Sequence, residues 1–252
     1  MTAASDMIVA DDAELAARLA RAAGRILLEV RGSGLIGGKP LGKAGDMTAN
    51  QFLCRALAEQ RPDDGLLSEE SRDTKERLAK QRVWIIDPVD GTREYGEERT
   101  DWAVHVALAT GGTASVGAVA LPALDLVLRS DRPAALPPAV DPPRMLVSRT
   151  RATPEVEAVA ERIGATLVPM GSAGAKAMAV VRGEAEIYLH SGGQYEWDSC
   201  APAAVALAHG LHASRIDGSP LIYNQRDTYM PDLLICRKEL AEEVLSIVAE
   251  LS

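Results

Sequence analysis

The residues that point most directly to chemistry are the run 84–92, Trp-Ile-Ile-Asp-Pro-Val-Asp-Gly-Thr. Asp87 and Asp90 follow an apolar stretch of the kind that is buried in a sheet, and burying two unpaired carboxylates there costs considerable free energy. A hard cation relieves that cost, and the two carboxylates with the Val89 carbonyl between them are oxygen ligands that suit Mg²⁺. The Gly-Thr pair that ends the run opens a predicted helical turn, whose free backbone N–H groups favour a phosphate. The run therefore predicts a metal site that adjoins a phosphate site.

Two further acidic elements lie elsewhere in the chain. Residues 68–71, Ser-Glu-Glu-Ser, follow a short predicted strand, and alone they are more typical of a solvated turn. Asp198 precedes an apolar helical pattern, and alone it is more typical of a helix N-cap. Taken with residues 84–92, they make three acidic strand or helix ends, which is the arrangement of a multi-metal phosphate site.

Composition limits the partners of this 252-residue chain, whose length fits one or two compact units. Lys and Arg total 27 and Asp and Glu total 36, and the resulting formal net charge of −9 opposes binding to nucleic acid polymers or anionic membranes. The three cysteines are far apart, so they predict neither a disulfide framework nor a zinc knuckle. The N-terminal residues lack the charge pattern of a secretory signal, and no long uncharged apolar run follows. We therefore expect a soluble cytoplasmic protein.

The first half of the chain has the pattern of an α+β unit that would position these acids. The glycines between residues 32 and 46 predict a flexible excursion that permits a mobile flap. Apolar periodicity predicts helices over 11–31 and 48–59, the first with Asp11 in a capping box and Gly32 as the stop. Strands are predicted over 66–67, 83–86, 102–109, 114–120 and 124–129. The last three strands are predicted to pair as antiparallel hairpins.

The second half alternates strands and helices, which is typical of an α/β unit. Strands are predicted over 145–148, 166–169, 185–189 and 232–236, and helices over 154–163, 173–181, 198–208 and 238–251. Five prolines between residues 132 and 144 stiffen the chain and favour a linker. We therefore predict an N-terminal α+β metal- and phosphate-binding domain over 1–131, a linker over 132–144 and a C-terminal α/β substrate domain over 145–252.

Three segments carry a resemblance to a known family. Residues 67–71, residues 84–92 and the pair Trp197-Asp198 resemble, in order and approximate spacing, the three signatures of the inositol monophosphatase superfamily of Mg²⁺-dependent, lithium-sensitive phosphatases. Within it, residues 171–176 and 217–224 look most like CysQ-type 3′-phosphoadenosine 5′-phosphate phosphatases. The resemblance implies a layered αβαβα sandwich that holds two or three Mg²⁺ ions and is inhibited by Li⁺.

The resemblance also implies roles for individual residues. The two cations would bridge the phosphate, acidify a water and stabilise the departing alkoxide in an in-line displacement. The implied metal ligands are Glu69, Asp87, the Val89 carbonyl, Asp90 and Asp198, and the implied phosphate contacts are Gly91 and Thr92.

The sequence departs from the family pattern at Asn50, where many members carry an Asp that pairs with the signature threonine. An amide cannot take a proton at neutral pH, so we expect Glu69 and Thr92 to orient the attacking water while Asn50 only positions Thr92 by a hydrogen bond. Asp46 is close enough in sequence to replace the missing charge or to help bind a third metal, and an ordinary loop carboxylate is the alternative.

The substrate contacts are less sharply indicated. The turn that holds Ser172 could admit a nucleotide phosphate, and Lys176 is a candidate partner for a second phosphate, against the alternative of an ordinary solvated lysine. His190 follows a predicted strand at its carboxyl end, where ligands gather in α/β sheets, and it is equally well explained as a bystander. The predicted substrate-binding set is Asp90, Gly91, Thr92, Ser172, Lys176, His190 and Asp198, and the aromatic residues that remain open as a base-stacking partner are Tyr195, Trp197, Tyr223 and Tyr229.

The expected function is hydrolysis of the 3′-phosphate of 3′-phosphoadenosine 5′-phosphate. A second expected substrate is 3′-phosphoadenosine 5′-phosphosulfate, which carries the same 3′-phosphate. The alternatives are an inositol monophosphatase or fructose-1,6-bisphosphatase with the same core, and a non-catalytic regulator that binds metal and nucleotide. The expected partner is a small phosphorylated nucleotide, and a homodimer is left open.

Overall fold

The computed structural model describes residues 8–150 and 152–251. The described residues contain seven α-helices: α1 (Asp12–Gly32), α2 (Gly38–Gln60), α3 (Thr92–Gly96), α4 (Pro154–Arg162), α5 (Ala173–Val181), α6 (Glu196–Ala208) and α7 (Lys238–Leu251). Their twelve strands are β1 (Gly65–Ser68), β2 (Arg82–Asp90), β3 (Ala103–Thr110), β4 (Thr113–Leu121), β5 (Leu126–Arg129), β6 (Arg144–Ser148), β7 (Thr166–Met170), β8 (Ile187–His190), β9 (Gln194–Tyr195), β10 (His212–Ser214), β11 (Tyr229–Met230) and β12 (Leu233–Cys236).

The strands form two five-stranded sheets and one short ribbon. The first sheet has the order β1-β2-β3-β4-β5, with β1 parallel to β2 and the other pairs antiparallel. The second has the order β10-β12-β8-β6-β7, in which β6 runs parallel to β7 and β8. The ribbon pairs β9 with β11. The predicted hairpins of the first half and the strand–helix alternation of the second are confirmed, whereas β9, β10 and β11 were missed.

Three buried apolar clusters divide the molecule into five layers. The first lies between the helices α1 and α2 and one face of the first sheet, where Trp84 and Ile86 point. The second joins the other face of that sheet, reached by Val83 and Ile85, to α5, α6 and the second sheet. The third lies between the far face of the second sheet and α4 and α7. Because side chains alternate along β2, its apolar residues serve both faces, and the predicted αβαβα sandwich is confirmed.

The glycine-rich segment is a helix, so the predicted flexible excursion is wrong. Helix α2 already begins at Gly38, ten residues before the predicted start at Thr48. A Cβ on Gly42 would lie 2.7 Å from Thr92 Cγ2, and a Cβ on Gly45 would lie 2.6 Å from a ring carbon of Tyr95. Glycine is therefore required here for close packing of α2 on α3, and this packing offsets its poor helix propensity.

The first helix agrees closely with its pattern. The Asp11 side chain accepts a hydrogen bond of 2.7 Å from the Glu14 N–H, as expected of an N-cap. The helix includes Gly32 as its last residue and ends at Ser33.

The proline-rich segment 132–143 contains no helix or strand. The apolar cluster between the two sheets draws Val83 and Val119 from one side of this segment and Met178 and Tyr188 from the other. The two halves therefore share a core, and the domain boundary stays a prediction.

None of the described helices is long and apolar enough to span a bilayer.

Candidate active site

The carboxylates of Asp87, Asp90 and Asp198 meet at the end of β2, where one oxygen of each lies within 4.8 Å of the others. Residues three apart on a regular strand point to opposite faces. Between Asp87 and Asp90, however, the pairing of β2 with β3 shifts register, and Pro88, which cannot donate a ladder hydrogen bond, lies in this irregularity. The irregular backbone allows both side chains to reach one cluster.

Asp198 comes to this cluster from the opposite side, on the first turn of α6. Its Oδ2 accepts a hydrogen bond of 2.7 Å from the Tyr195 N–H, which precedes the helix. Asp198 is thus the third residue of the helix and not its N-cap, and its side chain satisfies a backbone donor while it faces the other acids.

Like charges make the cluster unfavourable without a cation. Burial, and then the charges of Glu69 and Asp90, raise the pKa of Asp87 well above its usual range. Glu69 is exposed at the mouth of the cluster, yet the protein around its carboxyl group and the nearby charge of Asp198 raise its pKa as well. Burial and the charge of Asp90 raise the pKa of Asp198. A divalent cation would remove this repulsion, so the donor set of hard oxygens fits a metal.

Asp90 differs from its neighbours because it is surrounded by donors. Burial opposes its ionisation, but His105 Nε2 lies 3.2 Å away, and the Ser172 hydroxyl and the Gly174 N–H donate to its carboxylate, so its pKa is lowered. The Ala173 N–H adds a hydrogen bond of 3.0 Å. Asp90 is therefore held as an anion at the N-terminus of α5, where the helix dipole also favours negative charge.

This arrangement corrects the prediction for the turn at Ser172. Its hydroxyl and two of the amides after it already bind Asp90, so they are not free to receive a nucleotide phosphate. Lys176 is likewise buried, with 5% of its surface exposed. Its Nζ donates to the Ser172 carbonyl at 2.6 Å and lies over the Tyr188 ring, so the structure does not place it as a partner for a second phosphate.

Thr92 begins α3, directly after Gly91, whose φ of +88° is readily adopted only by glycine. The Thr92 hydroxyl lies 3.2 Å from Asp46 Oδ1 and 3.1 Å from the Val89 carbonyl, and both can accept its hydrogen. Burial, and then the charge of Glu70, raise the pKa of Asp46 to about 7. Asp46 is thus the carboxylate within hydrogen-bond distance of the threonine, and its role at a third metal stays a prediction.

The predicted contact between Asn50 and Thr92 is wrong. Asn50 Oδ1 accepts hydrogen bonds from the Ser68 hydroxyl at 2.7 Å and from Cys54 Sγ at 3.1 Å. Its Nδ2 donates to Ser71 at 3.1 Å. Because α2 is continuous, Asp46 and Asn50 share a helix face but are one turn apart along the axis. Asp46 is level with Thr92 on α3, whereas Asn50 is level with Ser68 and Ser71, on the turn that carries Glu69.

A cavity of about 700 Å³ opens beside Thr92 and Asp46. Its wall carries three cations, Lys39, Lys43 and Arg93, and two acids, Asp46 and Glu97, and Glu97 pairs with Arg93 at 2.8 Å. Lys39 and Lys43 are one turn apart and therefore share a helix face. In a chain of net charge −9, these two lysines place positive charge beside Thr92.

Two histidines behave differently from each other. The buried ring of His105 connects the Trp197 carbonyl, 2.9 Å from Nδ1, to Asp90. His105 pairs with Asp87 in the register of β3 against β2, so its contact with Asp90 follows from the sheet pairing and not from a sequence motif. His190 ends β8, and its Nε2 lies 3.0 Å from the Gly193 carbonyl, which leaves its role in substrate binding a prediction.

Comparison with known proteins gives the class to which this site belongs. Residues 11–252 match the model of the inositol monophosphatase family, and the chain belongs to that family. The superfamily predicted from the three signatures is thereby confirmed. The family is metal-dependent, in agreement with the acidic cluster.

Two curated relatives and one solved structure are similar to most of this chain. The chain is 50% identical over 254 residues to the 3′-phosphoadenosine 5′-phosphate phosphatase of Mycobacterium leprae (strain TN), covering 95% of this chain and 94% of the relative. It is also 50% identical to the protein of the same name from Mycobacterium tuberculosis (strain CDC 1551 / Oshkosh), covering 90% of each. The crystal structure of CysQ from Bacteroides thetaiotaomicron superimposes with a TM-score of 0.79 at 22% identity, over 90% of this chain and 97% of that one, which supports the fold alone.

Proposed function

We propose that this protein is a Mg²⁺-dependent phosphomonoesterase that hydrolyses the 3′-phosphate of 3′-phosphoadenosine 5′-phosphate, releasing AMP and inorganic phosphate. The observation that carries this proposal is the cluster of Asp87, Asp90 and Asp198 beside Thr92, in a chain that is 50% identical to phosphatases named for this substrate. Lys39 and Lys43 on the cavity wall next to Thr92 add positive charge that favours an anionic substrate.

The metal ligands in this proposal are Glu69, Asp87, the Val89 carbonyl, Asp90 and Asp198. When bound, two or three Mg²⁺ ions supply neutralisation of phosphate charge and acidification of a water molecule. Li⁺ inhibition is predicted from the family resemblance, and a cytoplasmic location from the cysteine usage and the charge pattern of the N-terminal residues.

The side chains of Thr92 and Asp46 would position the attacking water. The Thr92 hydroxyl, fixed by the Val89 carbonyl and by Asp46, can accept a hydrogen from the attacking water only while its own hydrogen is donated to one of those two oxygens. The attacking water must lose a proton. The Asp46 carboxylate, whose pKa is near neutrality, can hold that proton. The new P–O bond forms from the water oxygen, the bond from phosphorus to the 3′ oxygen breaks, and that oxygen takes up a proton to give the 3′ hydroxyl of AMP.

The test is phosphate release from 3′-phosphoadenosine 5′-phosphate with and without Mg²⁺. Asp198→Asn should lower kcat by about 10³-fold or more, because metal ions supply several kcal/mol of charge stabilisation. Asp131→Asn, a change of the same kind far from the cluster and on an exposed residue, is the matched control and should leave kcat unchanged. Circular dichroism and the unfolding midpoint of Asp198→Asn confirm that the fold is retained.

Rates on inositol 1-phosphate and fructose 1,6-bisphosphate separate the proposal from the two alternative phosphatases. A higher kcat/KM on either would contradict the nucleotide assignment. Binding of the nucleotide with Mg²⁺ but no phosphate release would favour a non-catalytic regulator.

A further inference from the structure

Three aromatic rings lie next to the acidic cluster, on the ribbon and the start of α6. The Tyr195 and Trp197 rings are stacked, with centroids 4.8 Å apart and an interplanar angle of 11°. The Tyr229 ring meets Tyr195 edge-on at 6.0 Å. We call Tyr195, Trp197 and Tyr229 the aromatic step.

The aromatic step is unusual because its tyrosines are open to solvent. Tyr195 is 45% exposed and Tyr229 is 51% exposed, whereas Tyr95, Tyr188 and Tyr223 are almost fully buried. Large rings contribute most when they are removed from water, so two half-exposed rings side by side at a polar site form a surface suited to a flat apolar ligand.

The backbone holds the aromatic step in a fixed position. Tyr195 and Tyr229 are directly opposite each other in the β9–β11 register. The Glu196 N–H donates to the Thr228 carbonyl at 2.9 Å, and the Asp227 side chain accepts from the Tyr229 N–H at 3.1 Å. A Cβ on Gly193 would lie 2.4 Å from the Tyr229 hydroxyl, so the loop packs closely against that ring.

The aromatic step is also continuous with the acidic cluster. The N–H of Tyr195 donates directly to Asp198, at 2.7 Å. In a nucleoside 3′-phosphate, one ribose separates the phosphate from the base. A phosphate at the acidic cluster therefore places the base one sugar ring away, and Tyr195 and Trp197 immediately precede Asp198 in the chain.

We propose that Tyr195 and Tyr229 form the purine-binding surface of this phosphatase, with Trp197 supporting Tyr195 from behind. This inference rests on the proposed nucleotide substrate. Stacking of a base on an aromatic side chain needs no hydrogen-bond readout, so these rings select a nucleotide over a sugar phosphate. Of the four aromatic residues that the sequence left open, Tyr223 is excluded because it is 1% exposed.

The test compares Tyr195→Ala and Tyr229→Ala with the wild type in the presence of Mg²⁺. Each should raise KM for 3′-phosphoadenosine 5′-phosphate and the Kd for AMP by about tenfold, within the range reported for base–aromatic stacking. The kcat and the inhibition constant of inorganic phosphate should stay within about twofold. Tyr195→Phe and Tyr229→Phe keep the rings and should behave as the wild type. Leu207→Ala, which removes another half-exposed apolar side chain from α6, is the control and should change none of these constants.

AMP binding is measured by calorimetry and does not require turnover, so the inference and the proposed function can fail separately. Unchanged AMP affinity in both alanine variants would overturn the purine surface even if the wild type hydrolyses the nucleotide. Equal losses for AMP and inorganic phosphate would also overturn it, because they would indicate a structural role for the rings. A wild type that binds AMP through these tyrosines but releases no phosphate from 3′-phosphoadenosine 5′-phosphate would contradict the proposed function alone.

Discussion

The hydroxyl of Thr92 has a hydrogen-bond partner, Asp46, that lies outside the signature run 84–92. Thr92 lies in the signature run, but Asp46, 3.2 Å from its hydroxyl, lies in a segment that resembles a loop in sequence. The family pattern directs attention to Asn50, which the structure turns toward Ser68 and Cys54. Asp46 and Asn50 are therefore expected to have separable effects on catalysis and on stability.

Asp46→Ala should lower kcat by about 10²-fold, since positioned acid–base groups contribute that much or more. Asn50→Ala should leave kcat within about threefold, but it should lower the free energy of unfolding by roughly 1–3 kcal/mol, because the buried Ser68 hydroxyl loses its acceptor. The measurements are kcat on the nucleotide and urea unfolding of both variants. The reverse result, in which Asn50→Ala alone loses turnover, would return the threonine partner to Asn50.

The acids of the site were predictable because their types and strand-end positions already demand a cation. Asp87 and Asp90 adjoin an apolar run, and Asp198 begins a helix, so each has a local signal. Asp46 and His105 have none that is comparable. Their contacts depend on the packing of α2 on α3 and on the register of β3 against β2, which are properties of the assembled fold.

At the scale of elements, helix α2 illustrates why glycine content misleads. Six glycines between residues 32 and 45 have the pattern of a flexible segment, but three of them lie in α2, where Gly42 and Gly45 let α3 approach closely. The long helices and strands contain enough apolar residues for their hydrophobic periodicity to be visible in the sequence, so they were predicted. Strands β9 and β11 have two residues each, too few for alternation to be visible, and so the ribbon that carries the aromatic step was missed.

The packing role of Gly45 can be tested by adding one methyl group. In Gly45→Ala the new Cβ would meet the Tyr95 ring at 2.6 Å and a Leu27 methyl at 3.1 Å, so the free energy of unfolding should fall by about 1–3 kcal/mol, as is typical of overpacked cores. Gly32→Ala is the matched control, because that glycine is also helical and nothing lies within 4 Å of its added Cβ. It should stabilise the protein by roughly 0.5–1 kcal/mol. Chemical denaturation measures both, and a Gly45→Ala protein as stable as Gly32→Ala would show that α2 and α3 are not in close contact.

At the scale of the whole molecule, Arg77 joins the two halves of the chain. It is 3% exposed, and it donates to Asp73 at 2.8 Å and, from the other half, to the Asn224 side chain at 2.7 Å and the Gln225 carbonyl at 2.9 Å. The Glu196 carboxylate accepts the N–H groups of the same two residues, each at 2.7 Å. The segment at 224–225 is therefore held from both halves, by a cation and by an anion.

This connection predicts a dependence of stability on pH. Partial burial opposes ionisation of Asp73, but hydrogen bonds and charge from Arg77 and Lys75 prevail and hold its pKa below the usual range. A lowered pKa in the folded state stabilises the protein above the unfolded pKa of about 3.9, and this stability is lost as the pH falls through that value toward the folded pKa. Asp73→Asn should thus be less stable than the wild type at pH 7, and the difference should shrink below about pH 4. Urea unfolding of both proteins from pH 7 to pH 3 measures it, and a constant difference would contradict the argument.

The shared core between the sheets makes a prediction about the two halves themselves. Helices α5 and α6 belong to the second half in sequence, yet they pack on the first sheet, so separation at residues 132–143 would expose that apolar surface on both pieces. A protease site inserted next to Ala134, which is exposed, should allow the chain to be cut while the pieces elute together and keep their activity. The fragment 145–252 expressed alone should lack a cooperative unfolding transition. The uncut protein with the same insertion is the control, and a fragment 145–252 that unfolds cooperatively with native circular dichroism would show that the second half is an independent domain.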